Sequence, residues 1–364
     1  MQITDIIQYL ESLAPLSSQE SYDNAGLIVG NAKTEVTKVL ISLDCTEEIV
    51  AEAKKKGCNL IIAHHPIVFK GLKKLNGKNY VERTVIEAIK NDIAIYATHT
   101  NLDNYKRGVN KKIGDLLGIE APKILAPVSQ KLFKLVVFCP TSHVKEVENA
   151  LFLSGAGQIG NYAECSFSTA GKGSFKPSHD ANPHIGEKGQ RHYENESKIE
   201  VLCSTHLMGK VLSAMKAAHP YEEVAYDCIP LLNQNQDEGA GMIGRLDQPV
   251  DERTFLGQVK KTFGCEVIRH TKLRDKPIKT VAWCGGSGSF LLPNAKSQKA
   301  DIFITGDFKY HEFFDAEDDI VIADIGHFES EQYTIELLSE LLTKKFATFA
   351  ACLTEINTNP VKYF

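Results

Sequence analysis

The sequence predicts an α/β protein in which two parallel-sheet segments are separated by an inserted ferredoxin-like α+β block. Three observations predict it. Short, branched apolar runs alternate with amphipathic stretches toward both ends of the chain, the pattern of parallel strands joined by helices. Several of these runs stop abruptly at a histidine or an acid. Residues 131–231 read instead as β-α-β-β-α-β, the order of a ferredoxin-like fold.

The composition narrows the function classes. A chain of 364 residues suggests two or three domains, and 43% hydrophobic with 24% charged residues suits globular cores. A net charge of −5 gives no general electrostatic footprint for nucleic acid, so nucleic acid is not an expected partner, and a local basic patch is the route left open to it. The nine cysteines are scattered, with no CxxC pair, and read as reduced thiols of a cytoplasmic protein. The opening MQITDIIQYLESLAP is an amphipathic helix containing acids, not a signal peptide. No apolar run approaches the ~20 residues that span a bilayer, so no membrane partner is expected.

In chain order, a helix over 5–13 precedes a short strand between Gly26 and Gly30. Residues 38–44 (KVLISLD) are a buried strand ending in an acid, and a helix over 46–56 follows. Residues 59–69 (NLIIAHHPIVF) hold a third strand, closed by His64, His65 and Pro66. Neighbouring strand residues point to opposite faces, so both imidazoles reach one site only if the strand stops here, and Pro66 denies it a ladder donor. The plainer alternative is one core histidine and one loop histidine. After a loop with Lys70, Lys73 and Lys74, helix 80–91 leads to strand 92–97, which runs into His99 and Asp103; helix 108–117 completes the segment.

Residues 131–231 contain strands at 131–139, 161–169, 198–204 and 223–231 and helices at 142–153 and 206–218, with an exposed loop over 170–197. His219–Glu223 reads as a turn with a packed tyrosine. A linker at 233–241 returns the chain to its first architecture, with helices at 252–263, near 308–316 and at 329–345 and strands at 278–284, 301–305 and 319–324. The expected boundaries are therefore 1–130, 131–231 and 232–364. The glycine turn Gly285-Gly286-Ser287-Gly288 is a tight turn or, alternatively, a phosphate cradle.

The strand ends supply a constellation. Strand 301–305 is followed by Asp307 and His311, and strand 319–324 by His327 and Glu331. His327 and Glu331 stand at i and i+4 and share a helix face. With His64, His65 and Asp103 they make three imidazoles and two carboxylates, a set that suits two divalent ions with one carboxylate shared. The absence of cysteine argues against a structural thiolate zinc site and leaves Zn, Fe, Mn or Co open.

Tyr22–Leu27 (YDNAGL), the His64-His65-Pro66 strand end, Thr98–Asp103 (THTNLD) with Gly108-Val109-Asn110, and Gly326-His327 with Glu331 together resemble the GTP cyclohydrolase I type 2-like family, also called the NGG-interacting-factor-three-like family. The resemblance covers nearly the whole chain. It implies a dinuclear metal site with His64, His65, Asp103, His327 and Glu331 as ligands. It also implies two similar three-layer α/β units, a toroidal homohexamer with the metals facing an internal cavity, and a PII/CutA-like insert at 131–231. Tyr22 stands where the family usually has Trp, with no consequence for the metals.

The leading functional expectation is a metal-dependent hydrolase of the GTP cyclohydrolase or a related nucleotide type. A coordinated water, its pKa lowered toward ~7, is the expected nucleophile, since no Ser or Cys sits in a nucleophile motif. His99, Asp307 and His311 are the candidate proton-handling residues, each with a ligand-orienting alternative, and an anionic small molecule is the expected partner. The competing expectation is a non-catalytic metal-dependent binding or regulatory ring.

Overall fold

The computed structural model describes residues 1–346 and 350–364. The described residues form a mixed α/β structure with three sheets. It divides into one unit formed by Met1–Ala126 with Asp237–Phe364 and another formed by Pro127–Gln236. Among the described residues no helix is long and apolar enough to cross a membrane.

The first unit opens with helix α1 (Ile3–Leu13), which buries Ile3, Ile6 and Leu10 at helical spacing. Strands β1 (Gly26–Val29) and β2 (Val39–Ser42) precede helix α2 (Glu47–Lys56). The Thr46 side chain caps the start of α2, and Gly57, in the left-handed region, closes its end. Strand β3 (Leu60–Ala63), helix α3 (Tyr80–Lys90), strand β4 (Ala94–Ala97) and helices α4 (Thr100–Asp103) and α5 (Val109–Leu116) follow. Strands β2, β3 and β4 are parallel, with Leu40, Ile61 and Ile95 side by side. Every residue in them is buried, as in strands covered on both faces. Strand β5 (Glu120–Ser129) leads out of the unit.

The second unit is β6 (Leu132–Pro140), α6 (Val144–Leu153), β7 (Ser166–Phe175), β8 (His192–Ser204), α7 (Met208–Ala218) and β9 (Tyr226–Leu231). The sheet order is β7-β8-β6-β9, antiparallel throughout. Phe133, Leu135 and Val137 pack with Val147, Leu151 and Met215 beneath it. The loop expected over 170–197 is shorter: β7 and β8 pair from Ser166–Val201 out to Phe175–His192, so 170–175 and 192–197 are strand and 176–191 joins them. Strand β7 is exposed along nearly its whole length, so it carries no apolar alternation for a sequence reading to detect. In the turn before β9, the His219 ring nitrogens meet Phe138 O at 2.9 Å and Tyr221 N at 3.1 Å, and Tyr221 Oη donates to Glu196.

The chain returns through β10 (Gln234–Val250), α8 (Glu252–Phe263), β11 (Arg269–His270), β12 (Ile278–Ser287), α9 (Leu292–Ser297), β13 (Ile302–Gly306) and β14 (Val321–Asp324). Helices α10 (His327–Glu331) and α11 (Thr334–Lys345) and strand β15 (Ala351–Leu353) complete it. The first unit thus holds two sheets, β1-β4-β3-β2-β15 and β11-β14-β13-β12-β10-β5. All but the first residue of the linker expected at 233–241 lies within β10. Its Gly241 sits where an added Cβ would come within 2.9 Å of Trp283 O, so the glycine marks close packing rather than a flexible joint. The helix expected near 308–316 is a 3₁₀ helix, Tyr310–Ala316.

Alternate residues of the parallel strands feed different cores. Val39, Ile41, Leu60 and Ile62 share one core with Val281, Trp283, Ile302 and Ile304 of the other sheet, and the intervening Leu40 and Ile61 face a core with helix α2. The common core docks the two outer chain segments. Its largest member, Trp283, is fully buried and donates from Nε1 to Asn110 O at 2.7 Å. Gly114 of α5 lies against that ring, where an added Cβ would stand 2.7 Å from Cζ2. Gly→Ala in a helix interior ordinarily stabilises by ~0.5–1 kcal/mol. Here Gly114→Ala should destabilise by about 1–3 kcal/mol, the cost of overpacking, read as a lower midpoint in urea; a higher midpoint would contradict this packing account.

Candidate metal centre

Parallel strands deliver the site. Asp44 follows β2, His64 and His65 follow β3, His99 follows β4, Asp307 follows β13 and His327 follows β14. These are carboxyl ends, where open α/β sheets place their ligands. Strand β3 stops as the sequence requires: the N–H groups of His64 and His65 both donate to Leu43 O, at 3.0 and 2.9 Å. The two rings come to lie 5.0 Å apart.

Glu331 is the hub. Its carboxylate, 3% exposed, lies 3.0 Å from His65 Nε2, 3.1 Å from His327 Nε2 and 3.8 Å from His64 Nε2. Asp103 Oδ1 is 3.5 Å from His64 Nε2, and the Nε2 atoms of His65 and His327 are 3.3 Å apart. His64, His65 and Glu331 form a group able to hold a metal ion, their ligand atoms all within 4.8 Å of one another. His64 Nε2 and Asp103 Oδ1 are buried without a hydrogen-bond partner, a rare state for interior polar atoms.

Each imidazole is gripped from behind. His65 Nδ1 is 2.8 Å from Asp44, His327 Nδ1 is 2.7 Å from Asp307, and His64 Nδ1 is 3.3 Å from Thr98 Oγ1. A carboxylate or hydroxyl acceptor there selects the Nδ1–H tautomer and leaves Nε2 facing the cluster. His99 Nδ1 is 2.6 Å from Asp23, which also accepts from Thr100 N at 3.1 Å. That grip holds His99 at φ 111°, a conformation costing ~1–3 kcal/mol at a non-glycine residue. The sequence alone assigns no role to Asp44, Asp23 or Thr98, although the acid closing KVLISLD is a usable signal once β2 and β3 are known as neighbours.

A cavity of about 820 Å³ opens over the cluster, with Tyr22, Phe69, His99, Arg269 and Asp307 among its lining. His311 lies apart from it, exposed on the 3₁₀ turn with its ring 5.2 Å from Tyr310. Lys70, Lys73 and Lys74 are exposed and do not line the cavity. The glycine turn offers no free cradle: Gly285 N donates to Asn110 Oδ1, Gly286 N to Ser330 Oγ and Gly288 N to Thr305 Oγ1.

The family model for Duf34/NIF3 (NGG1p interacting factor 3) matches residues 1–360. The chain belongs to the Duf34/NIF3 family. It is 38% identical over 363 residues to a protein of Halalkalibacterium halodurans named GTP cyclohydrolase 1 type 2 homolog, with 98% of each chain covered. The crystal structure of a Bacillus cereus protein related to NIF3 matches with a TM-score of 0.88 at 37% identity, covering 100% of this chain and 99% of that one. A Staphylococcus aureus crystal structure, of protein SA1388, matches with a TM-score of 0.78 at 30% identity and the same coverage.

Electrostatics in this NIF3-family site divide the imidazoles. Burial pushes His64 down to about 4, leaving it neutral and ready to donate a lone pair. Burial also opposes charge on His65, but hydrogen bonds to Asp44 and Glu331 outweigh it and raise the pKa to about 9. His327 is likewise opposed by burial, and Glu331 and Asp307 raise it to about 11. Burial, reinforced by the Glu331 charge, pushes Asp103 well up. Burial acts the same way on Glu331, but His327, His64 and His65 hold it well below the usual range. Cys284 lines the cavity, yet burial raises its thiol far from ionisation. His65 and His327 thus sit above the free imidazole value of ~6.5. Their charged forms stabilise the ion-free fold fully below that value, and the contribution is lost as pH rises through about 9 and then about 11. Chelator-treated protein should lose thermal stability between roughly pH 7 and 11, and Glu331→Gln should flatten that slope. Equal slopes in the two proteins would refute the assignment.

Proposed function

We propose that this chain is a dinuclear-metal hydrolase acting on a nucleotide or another phosphate-bearing substrate. The observation that carries the reading is the buried, unpartnered pair His64 Nε2 and Asp103 Oδ1, 3.5 Å apart beside Glu331. Leaving such groups unpaired costs ~1–3 kcal/mol each, and a cation relieves both. The donor set of three imidazole nitrogens and two carboxylates, with no thiolate, suits Zn, Fe, Mn or Co. In this reading His64, His65, Asp103, His327 and Glu331 hold two divalent ions. Glu331 supports a shared role, since its Oε1 faces His64 while its Oε2 faces His65 and His327.

Divalent ions in such a site supply an acidified water and polarise substrate oxygens. The chain's own residues do the rest. Asp44 and Asp307 fix the imidazoles of His65 and His327. His99, anchored by Asp23 at the cavity wall, takes or gives a proton at its ring. The exposed rings of Tyr22 and Phe69, 6.1 Å apart at the cavity, suit a substrate with a flat face. The relatives' name, GTP cyclohydrolase 1 type 2 homolog, agrees with a nucleotide. We read residues 131–231 as an inserted ferredoxin-like domain between two similar α/β units, and the assembly as a cytoplasmic toroidal homohexamer.

Metal analysis of protein purified without chelators should find about two ions per chain, and His64→Ala and Glu331→Ala should each lose at least one. A screen of nucleotides and phosphoesters should reveal turnover that chelation abolishes and a divalent metal restores. Unchanged metal content in both variants would overturn the site. Metal-loaded protein that turns over none of these substrates would favour the binding-ring reading.

A further inference from the structure

We infer that segment 357–364 is a working part of this centre: Thr358 positions His65 through Asp44, and the residues after it close one side of the cavity. The inference rests on the metal reading above. Strand β15 runs parallel to β2, with Ala351 beside Val39 and Leu353 beside Ile41. Parallel neighbours leave a sheet at the same end, so the chain beyond β15 arrives where Asp44 stands. Two anchors fix its path. Thr354 N donates to Ile41 O at 3.0 Å, and Glu355 N donates to Glu52 at 2.9 Å.

Thr358 Oγ1 then donates to Asp44 Oδ2 at 2.6 Å, while Asp44 Oδ1 takes the Nδ1 side of His65 at 2.8 Å. With both oxygens engaged, the carboxylate cannot turn away from the imidazole, and the ring that offers Nε2 is held in one plane. One residue later, Asn359 Nδ2 donates to Glu329 Oε1 at 3.1 Å. Glu329 sits on α10 between His327 and Glu331. The segment therefore ties the end of β2 to the helix that carries His327 and Glu331. Asn359 Oδ1 accepts from Val361 N at 3.0 Å, which bends the chain so that Pro360, Val361 and Tyr363 line the cavity.

Cobalt(II) uptake by chelator-stripped protein tests this, with affinity, visible absorption and the rate of removal by a chelator as readouts. Thr358→Val removes the hydroxyl and keeps the shape; it should weaken affinity about tenfold, the lower end for loss of a ligand-orienting contact, and alter the absorption bands. Thr358→Ser should restore both. Because Thr358 acts through Asp44, Thr358→Val should add nothing further in an Asp44→Asn background. A chain ending at Ile356 should lose cobalt to the chelator about tenfold faster as well, on the same scale. Wild-type affinity and bands in Thr358→Val, or additivity with Asp44→Asn, would overturn the positioning role. Wild-type removal rates in the shortened chain would overturn the wall; if that chain does not fold, the removal rate in Tyr363→Ala, which keeps Thr358, decides it. Wild-type protein that takes up no cobalt would instead defeat the metal reading, and this inference with it.

Discussion

A buried carboxylate sets the terms for the rest of this site. Desolvating a charge costs several kcal/mol unless it is paired and hydrogen-bonded, and Glu331 is 3% exposed. It is tolerated because three imidazoles from two sheets face it. The backbone around it has given way: an added Cβ at Gly286, φ +60°, would lie 2.4 Å from Glu331 Oε1. The glycine turn is thus built for close approach to an acid, and its amides brace the protein's own side chains rather than a phosphate.

The same contacts join the two outer chain segments and assemble the centre. Asn110, at the start of α5, accepts from Trp283 Nε1 through its carbonyl and from Gly285 N through its side chain, and it donates to Asp103 O at 3.0 Å. One residue therefore connects the core tryptophan, the turn beneath Glu331 and the helix bearing Asp103. Loosening the docked core would move side chains of the cluster from both segments together.

Paired acids and histidines recur at the sheet ends: Asp44 with His65, Asp23 with His99, Asp307 with His327. The acid fixes the proton on Nδ1 and leaves Nε2 as the working atom. His64 differs. Its support is a hydroxyl 3.3 Å away, and burial keeps it neutral. The site thus mixes one imidazole that burial keeps neutral with two that facing carboxylates hold in the charged form.

Much of this was legible along the chain. Buried parallel strands appear as short apolar runs, and whatever follows such a run lies at the carboxyl end of the sheet. That logic singles out His64, His65, Asp103, His327 and Glu331, and the i, i+4 spacing puts the last two on one face. It failed where neighbours in space, not in sequence, decide. His311 follows a strand as well, but the chain leaves β13 for a 3₁₀ helix and turns that ring outward. Strand β5, which carries Pro122 and Pro127 at a sheet edge, and the polar, glycine-bearing β10 show no apolar run to read. The short β15 is a strand because β2 lies beside it, and Thr358 meets Asp44 because those two strands are parallel. Residue type and spacing determined which groups can bind and donate. Strand order and direction, set by packing between segments far apart in the chain, decided which of them meet.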